Sequence, residues 1–429
     1  MEEAKNGRIT EEMRIISKNE GVSPNFIMRG VAEGKIVILR NLERENVIPI
    51  GIGKGLRTKI NANIGTSSVV SDLNLEIRKA KIAVKYGADT IMDLSTSGDL
   101  DRIRREIIRR IKVPLGTVPI YQAAIESIKR QGAIVDMDED LLFRTIEKHA
   151  KDGVDFMTLH CGVTKDAVYR LTKHKRLTGV VSRGGTFIIA WILHNGKENP
   201  LFSNFDYILE MAKDYDFTIS LGDGLRPGSI FDASDPLQIQ ELLTIGDLVE
   251  RARKANIQTM VEGPGHLPLN HVEWNVKLEK AICKDAPFYV LGPVVMEIAP
   301  GYDHIVGAIG GAIAGMAGAD FLCYLTPSEH LALPSLKDVK EGVIATKIAA
   351  HAADIVKLGP KAATKDLEMA KARYDLDWNK QFSLAIDPIK AKKYRSRTAT
   401  EQTETCSMCG KYCAIKILKE ALDMEAVCF

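Results

Sequence analysis

The sequence predicts an α/β protein: a (β/α)8 TIM barrel with an N-terminal extension and a C-terminal helical tail that carries three closely spaced cysteines. Three observations carry this expectation. From residue 59 to about 357, short apolar runs alternate with longer stretches of helical period. Strands buried on both faces imply a parallel sheet with helices on its faces. Eight or nine such units follow in unbroken series, the count of a closed barrel, and no GxGxxG follows the first run as a doubly wound sheet would favour.

Taken in order, residues 1–58 read as a helical and irregular extension ending in a glycine-rich turn at Gly51, Gly53 and Gly55. The candidate strands are KINANIG (59–65), TIMDLS (90–95), PLGTVPIY (114–121), FMTLHCG (156–162), GVVSRGG (179–185), TISLGDG (218–224), TMVEGPG (259–265), FYVLGP (288–293) and FLCYLTP (321–327). Between them lie amphipathic helices. In LNLEIRKAKIAVKYG, for instance, Leu73, Ile77, Ala80 and Val84 form a helical stripe with most basic residues off it. The glycine-rich HIVGAIGGAIAGMAGA marks close helix packing. After about residue 358 the chain is charged and less periodic, as expected of a helical appendage. The expected organisation is therefore an extension (1–58), a barrel (59–357) and a tail (358–429).

Composition bounds the rest. With 27% charged and 45% hydrophobic residues the chain has an ordinary globular balance, and its net charge of +2 gives no reason to expect nucleic acid or a membrane as partner. The start, MEEAKNGRITEEMRII, lacks the apolar core of a signal peptide, and the low-charge run from Ile305 to Ala319 is too short to span a bilayer. A cytoplasmic location is expected. In a reducing compartment seven cysteines are not a disulfide framework. Cys161, Cys283, Cys323 and Cys428 are scattered. Cys406, Cys409 and Cys413 stand together in CSMCGKYC. Three thiolates at this spacing suit three irons of a 4Fe–4S cluster, leaving the fourth iron open to S-adenosylmethionine. Structural zinc needs a fourth ligand, for which Cys428 is poorly placed behind a helical-looking stretch. Redox thiols are the third reading.

Unusual polar residues fall where barrel strands end, the face on which barrel enzymes build active sites. They are Asn63, Met92, Asp93, Tyr121, His160, Ser182, Arg183, Gly184, Asp223, Arg226, Glu262, His266, Tyr289 and His330. SRGG before an apolar helix offers free backbone N–H groups and a guanidinium to a phosphate. Asp223 and Arg226 either grip a polar substrate or bond to each other. His266 and His330 suit zinc or ferrous iron with positions left open.

The motifs NANIGTS, MDLST, GTVPIYQA, SRGG, SLGDGLRPGS, EGPGH, APFYVLGP, IAPGYDHI, the EHL segment, IAAHAAD and CSMCG, in this order from about residue 5 to about 420, resemble the ThiC family of thiamine biosynthesis. The chain is similar to its short form, without the extra N-terminal domain of longer members. The resemblance implies a radical S-adenosylmethionine lyase, a phosphomethylpyrimidine synthase. Such an enzyme converts 5-aminoimidazole ribotide to 4-amino-5-hydroxymethyl-2-methylpyrimidine phosphate and releases carbon monoxide and formate. It implies substrate contacts at Asn63, Met92, Tyr121, His160, Ser182, Arg183, Gly184, Asp223, Gly224, Leu225, Arg226, Glu262 and Tyr289, with Glu262 and Asp223 also the candidates for moving protons. It implies zinc at His266 and His330 and a 4Fe–4S cluster on Cys406, Cys409 and Cys413. It also implies an electron donor for the cluster, and a homodimer whose tails reach the partner's barrel.

Two departures from the family pattern stand out. The cysteines are spaced C-x2-C-x3-C where many members have C-x2-C-x4-C, and Met296-Glu297 replaces the usual Thr-Asp before IAPGYDHI. The second keeps a related reaction open, the anaerobic 5-hydroxybenzimidazole synthase of cobamide biosynthesis, which uses the same substrate. A zinc-dependent barrel hydrolase or aldolase is the weaker alternative.

Overall fold

The computed structural model describes residues 1–398 and 404–427. Residues 1–358 form one compact unit and residues 359–429 a second.

The first unit opens with helices Glu2–Lys5, Glu11–Glu20 and Pro24–Ala32, followed by an antiparallel pair, β1 (Ile36–Leu39) and β2 (Ile50–Gly53). Gly51 and Gly53 are therefore strand residues and not the turn expected from sequence. A side chain on Gly53 would strike the Lys35 carbonyl, so pairing itself demands glycine there. Eight parallel strands then close a barrel: β3 (Lys59–Ile64), β4 (Thr90–Asp93), β5 (Leu115–Thr117), β6 (Phe156–Leu159), β7 (Thr218–Leu221), β8 (Thr259–Gly263), β9 (Phe288–Leu291) and β10 (Phe321–Cys323). β10 pairs with β3 to complete the ring. Nearly every strand residue is buried, as continuous apolar runs require of a two-sided sheet.

The predicted strand at GVVSRGG does not form. β6 pairs directly with β7, Phe156 opposite Thr218, which leaves Val180 and Val181 no strand edge to join. They lie in a connection with Val181 exposed, and the segment instead delivers the helix Arg183–Asn195.

Inside the barrel, large and small residues alternate. A Cβ on Gly116 of β5 would overlap the ring of Phe156, and one on Gly263 of β8 would overlap Phe288. The Phe321 ring lies 4.3 Å from that of Tyr289 and 6.2 Å from that of Phe156. The N-terminal mouth is closed by the extension. Ile38 N–H donates to Gln258 (2.7 Å), just ahead of β8, and Arg44 pairs with Asp155 (2.9 Å), both fully buried. Asp155 also accepts from the N–H groups of Asn41 and Leu115.

Outer helices start where short polar side chains cap them. Asp72, Asp99, Asp138 and Asp235 each accept a first-turn backbone N–H. In Leu73–Tyr86 Ile77 and Ala80 of the apolar stripe are buried and Leu73 and Val84 half-buried, but Lys79 is buried too, neutralised by Glu76 at 2.8 Å. No helix among the described residues is long and apolar enough to cross a membrane.

The second unit contains helices Thr364–Tyr374, Trp378–Leu384, Pro388–Arg395 and Ala414–Val427. Trp378 donates to the Glu404 carbonyl and Arg395 to that of Thr405, while the Arg395 guanidinium stacks 4.0 Å above the Trp378 ring. These contacts tie down the loop that bears Cys406 and Cys409.

Candidate active site

Asn63, Met92, Tyr121, His160, Asp223, Arg226, Glu262 and Tyr289 line one cavity at the C-terminal mouth of the barrel. Parallel strands make this unavoidable. All but Tyr289, the second residue of β9, sit near or just past the end of their strands, and all strands end on the same face. Thr158, Leu94, Val118, Leu291 and Cys323 complete much of the wall.

Glu262 Oε1 accepts from Thr158 Oγ1 (2.6 Å) and Ser220 Oγ (2.7 Å). Burial raises its carboxyl above the usual range, and these two hydroxyls oppose the rise. Asp223 Oδ1 accepts from Arg226 (3.0 Å), while Oδ2 is buried without a hydrogen-bond partner. Burial pushes Asp223 up to about 7, with Arg226 working against the shift. The question left by the sequence thus resolves in part: Asp223 and Arg226 bond to each other, yet one carboxylate oxygen is left over. His160 is buried and held neutral, its pKa depressed to about 3 mainly by burial. Its Nε2 meets Ser182 Oγ at 3.1 Å, and Nδ1 has no partner. Tyr289 is likewise kept protonated by burial, and its oxygen accepts from Asn61 (2.7 Å).

SRGG forms the rim. Ser182 caps the helix Arg183–Asn195 by accepting from Gly185 N–H (3.2 Å). The Arg183 guanidinium lies 5.0 Å above the Tyr121 ring. Gly184 packs on the His160 ring and Gly185 on the Gly224 backbone, so neither has room for a side chain. Leu225 is fully buried, and its N–H donates to Glu241 Oε2 (2.7 Å). It supports the loop and does not line the cavity. Asp93 is also set back from the cavity, its Oδ1 accepting from Ser95.

His266 and His330 are brought together, their ring centres 5.8 Å apart. Two imidazoles on one tetrahedral ion, at about 2.0–2.1 Å per bond, hold their centres about 5–6 Å apart. The pair therefore fits a metal, and burial keeps His266 in the neutral form that ligates. Among the described residues no three His, Cys, Asp or Glu side chains are gathered for a metal.

In the tail unit, Cys406, Cys409 and Cys413 are free thiols. Backbone N–H groups of Cys409 and Met408 directed at Cys406 lower its pKa. Cys413 begins the last helix, its carbonyl accepting from Ile417 N–H. One thiol favoured as its thiolate, with two more free thiols within the next seven residues, is a donor set that fits an iron–sulfur cluster. Cys428 lies outside the described residues.

Sequence reasoning missed Thr158, Ser220, Glu241 and Cys323. Cys323 had a usable signal, being the last residue of a strand. The others are recognisable only once the barrel closes.

The profile of the Radical SAM ThiC family matches residues 1–420 of the chain. The chain is 60% identical over 422 residues to the phosphomethylpyrimidine synthase of Caldanaerobacter subterraneus subsp. tengcongensis, with 98% of each chain covered. It is 58% identical over 427 residues to that of Thermoanaerobacter sp. (strain X514), covering 100% of this chain and 99% of the relative. It is 57% identical over 420 residues to that of Methanocaldococcus jannaschii, with 98% of each covered.

Proposed function

Since the chain belongs to the radical SAM ThiC family, we propose that it is a phosphomethylpyrimidine synthase of thiamine biosynthesis. Its substrate is 5-aminoimidazole ribotide and its product 4-amino-5-hydroxymethyl-2-methylpyrimidine phosphate, with carbon monoxide and formate released. One observation carries the reading: full-length identity of 57–60% to proteins of that name, in a chain whose strand-end polar residues share one cavity.

Cys406, Cys409 and Cys413 would hold a 4Fe–4S cluster, which together with S-adenosylmethionine and an electron donor would supply a 5′-deoxyadenosyl radical. The protein's own part is to bind, orient and exclude water. Arg183, with the amides at the start of its helix, holds the ribotide phosphate. Arg226 and the unpartnered Asp223 Oδ2 take the ribose or the imidazole edge. Glu262, poised by Thr158 and Ser220, holds or accepts a proton. Neutral His160, with Nδ1 unpartnered, offers a further polar contact, and Asn63, Met92, Tyr121 and Tyr289 shape the walls. His266 and His330 would hold zinc or ferrous iron, which would supply Lewis-acid orientation of an oxygen or of the adenosylmethionine. The active species is a homodimer.

The test is product analysis. After anaerobic reconstitution, the chain is supplied with dithionite, S-adenosylmethionine and aminoimidazole ribotide, and products are read by mass spectrometry. Hydroxymethylpyrimidine phosphate is expected. 5-Hydroxybenzimidazole would move the protein to cobamide synthesis and point to Met296-Glu297. Absence of 5′-deoxyadenosine from protein with an intact cluster would overturn the radical reading. Cys409→Ala should lose turnover and the brown cluster absorbance while the barrel stays folded.

A further inference from the structure

Both histidines of the candidate metal pair are met by a carboxylate on the same ring nitrogen. His266 Nδ1 lies 3.4 Å from Glu297 Oε1, and His330 Nδ1 lies 3.2 Å from Asp303 Oδ1. The histidines follow β8 and β10. Both carboxylates come from the segment after β9, the strand between those two, Asp303 being the first residue of helix Asp303–Ala317. One connection thus reaches two histidines, one past the strand on each side of β9.

We infer that Glu297 and Asp303 are positioning residues for the two-histidine metal site: each takes the Nδ1–H of its histidine and so commits Nε2 of both rings to the metal. The inference rests on the proposed reading of His266 and His330 as metal ligands. A neutral imidazole has one N–H and one lone pair, and a hydrogen-bond partner decides which nitrogen carries which. A carboxylate only accepts, so at Nδ1 it draws the N–H there and leaves the lone pair at Nε2. It also makes that lone pair more basic and fixes the ring's rotation. Two carboxylates and two neutral imidazoles are together balanced by one divalent cation.

Three further details support this arrangement. Glu297 is itself anchored, since Oε1 also accepts from Ile230 N–H at 2.8 Å, in the loop that carries Asp223 and Arg226. Asp303 is only 7% exposed, and its second oxygen has no hydrogen-bond partner, so a buried acceptor is left over next to the pair. His330 has a left-handed backbone, φ +60°, a strained conformation that a non-glycine residue retains mainly where function or packing demands it. Its side chain is 55% exposed, so little besides Asp303 fixes the ring.

The test uses the full-length chain with Cys406→Ser, Cys409→Ser and Cys413→Ser, so that thiolates do not bind the probe. Cobalt(II) is titrated anaerobically against a competing chelator while its visible d–d bands are followed. In that background Glu297→Gln and Asp303→Asn should each weaken cobalt binding about 10–100-fold and shift the bands. Glu297→Asp, which keeps the carboxylate, should bind more tightly than Glu297→Gln. His266→Ala and His330→Ala should abolish binding. Metal-free circular dichroism confirms folding, and the partly exposed Glu297 keeps the test decisive should Asp303→Asn misfold. If the histidine variants lose cobalt but both carboxylate variants bind like the parent, the positioning role is refuted and the metal pair stands. If the parent fails to bind, or the histidine variants bind like it, the metal reading fails and takes this inference with it.

Discussion

Gly185→Ala adds one methyl group at the closest backbone contact of the candidate site. Its Cβ would sit 2.1 Å from the Gly224 carbonyl oxygen and 2.6 Å from the Gly224 Cα and carbonyl carbon. Restoring ordinary contact requires the helix start and the loop after β7 to part by about 1.3 Å. Neither side yields freely. Gly185 N–H is tied to Ser182, and the loop is tied through Leu225 N–H to buried Glu241. The displacement therefore falls on Arg183 from one side and on Asp223 and Arg226 from the other. Stability should change little. Overpacking costs about 1–3 kcal/mol, and alanine returns about 1 kcal/mol of helix propensity over glycine. Activity should change much more. A misplacement near 1 Å can cost on the order of 10²-fold, about 2.7 kcal/mol in the barrier. The assay is kcat/KM for aminoimidazole ribotide, paired with thermal denaturation. A Gly185→Ala enzyme within twofold of wild type would refute the idea that this contact sets the spacing of the substrate groups.

Other predictions follow from buried polar groups. Glu279 is fully buried with neither oxygen hydrogen-bonded, and burial pushes its pKa to about 8. Because the folded value lies above the unfolded one, its contribution is fully present below about pH 4.5 and is lost as pH rises through about 8. Melting curves across pH 6–9 should therefore be flatter for Glu279→Gln than for wild type; equal slopes would contradict the assignment. Arg44→Met strands the buried Asp155 carboxylate and should cost about 3–5 kcal/mol in urea unfolding. Thr158→Val removes a donor to Glu262 and should move the acid limb of the pH–kcat/KM profile up by about one pH unit. An unmoved limb would separate Glu262 from proton transfer.

The barrel was legible because its signal is local and repeated. Apolar runs such as FMTL and TISL become strands buried on both faces, and their polar successors then necessarily share one mouth. The error at GVVSRGG shows the limit of that logic. Two valines before a polar cluster look like a strand end in any window. Only closure of β6 onto β7 shows that no edge is available. The Gly51 and Gly53 misreading has the same origin, since glycine signals a turn locally and close strand contact only in three dimensions.

By itself the sequence determined the order of the eight barrel strands and most of the polar residues at their ends, for in each the signal lies in residue type, spacing or place in a repeat. Tertiary structure alone decided the partners. Thr158 reaches Glu262 across 104 residues, Ser220 reaches it across 42, and Glu297 meets His266 across 31. Hydropathy and period report whether a residue is buried. They carry no information about which polar atom it meets there, because that depends on register, barrel closure and the path of each connection.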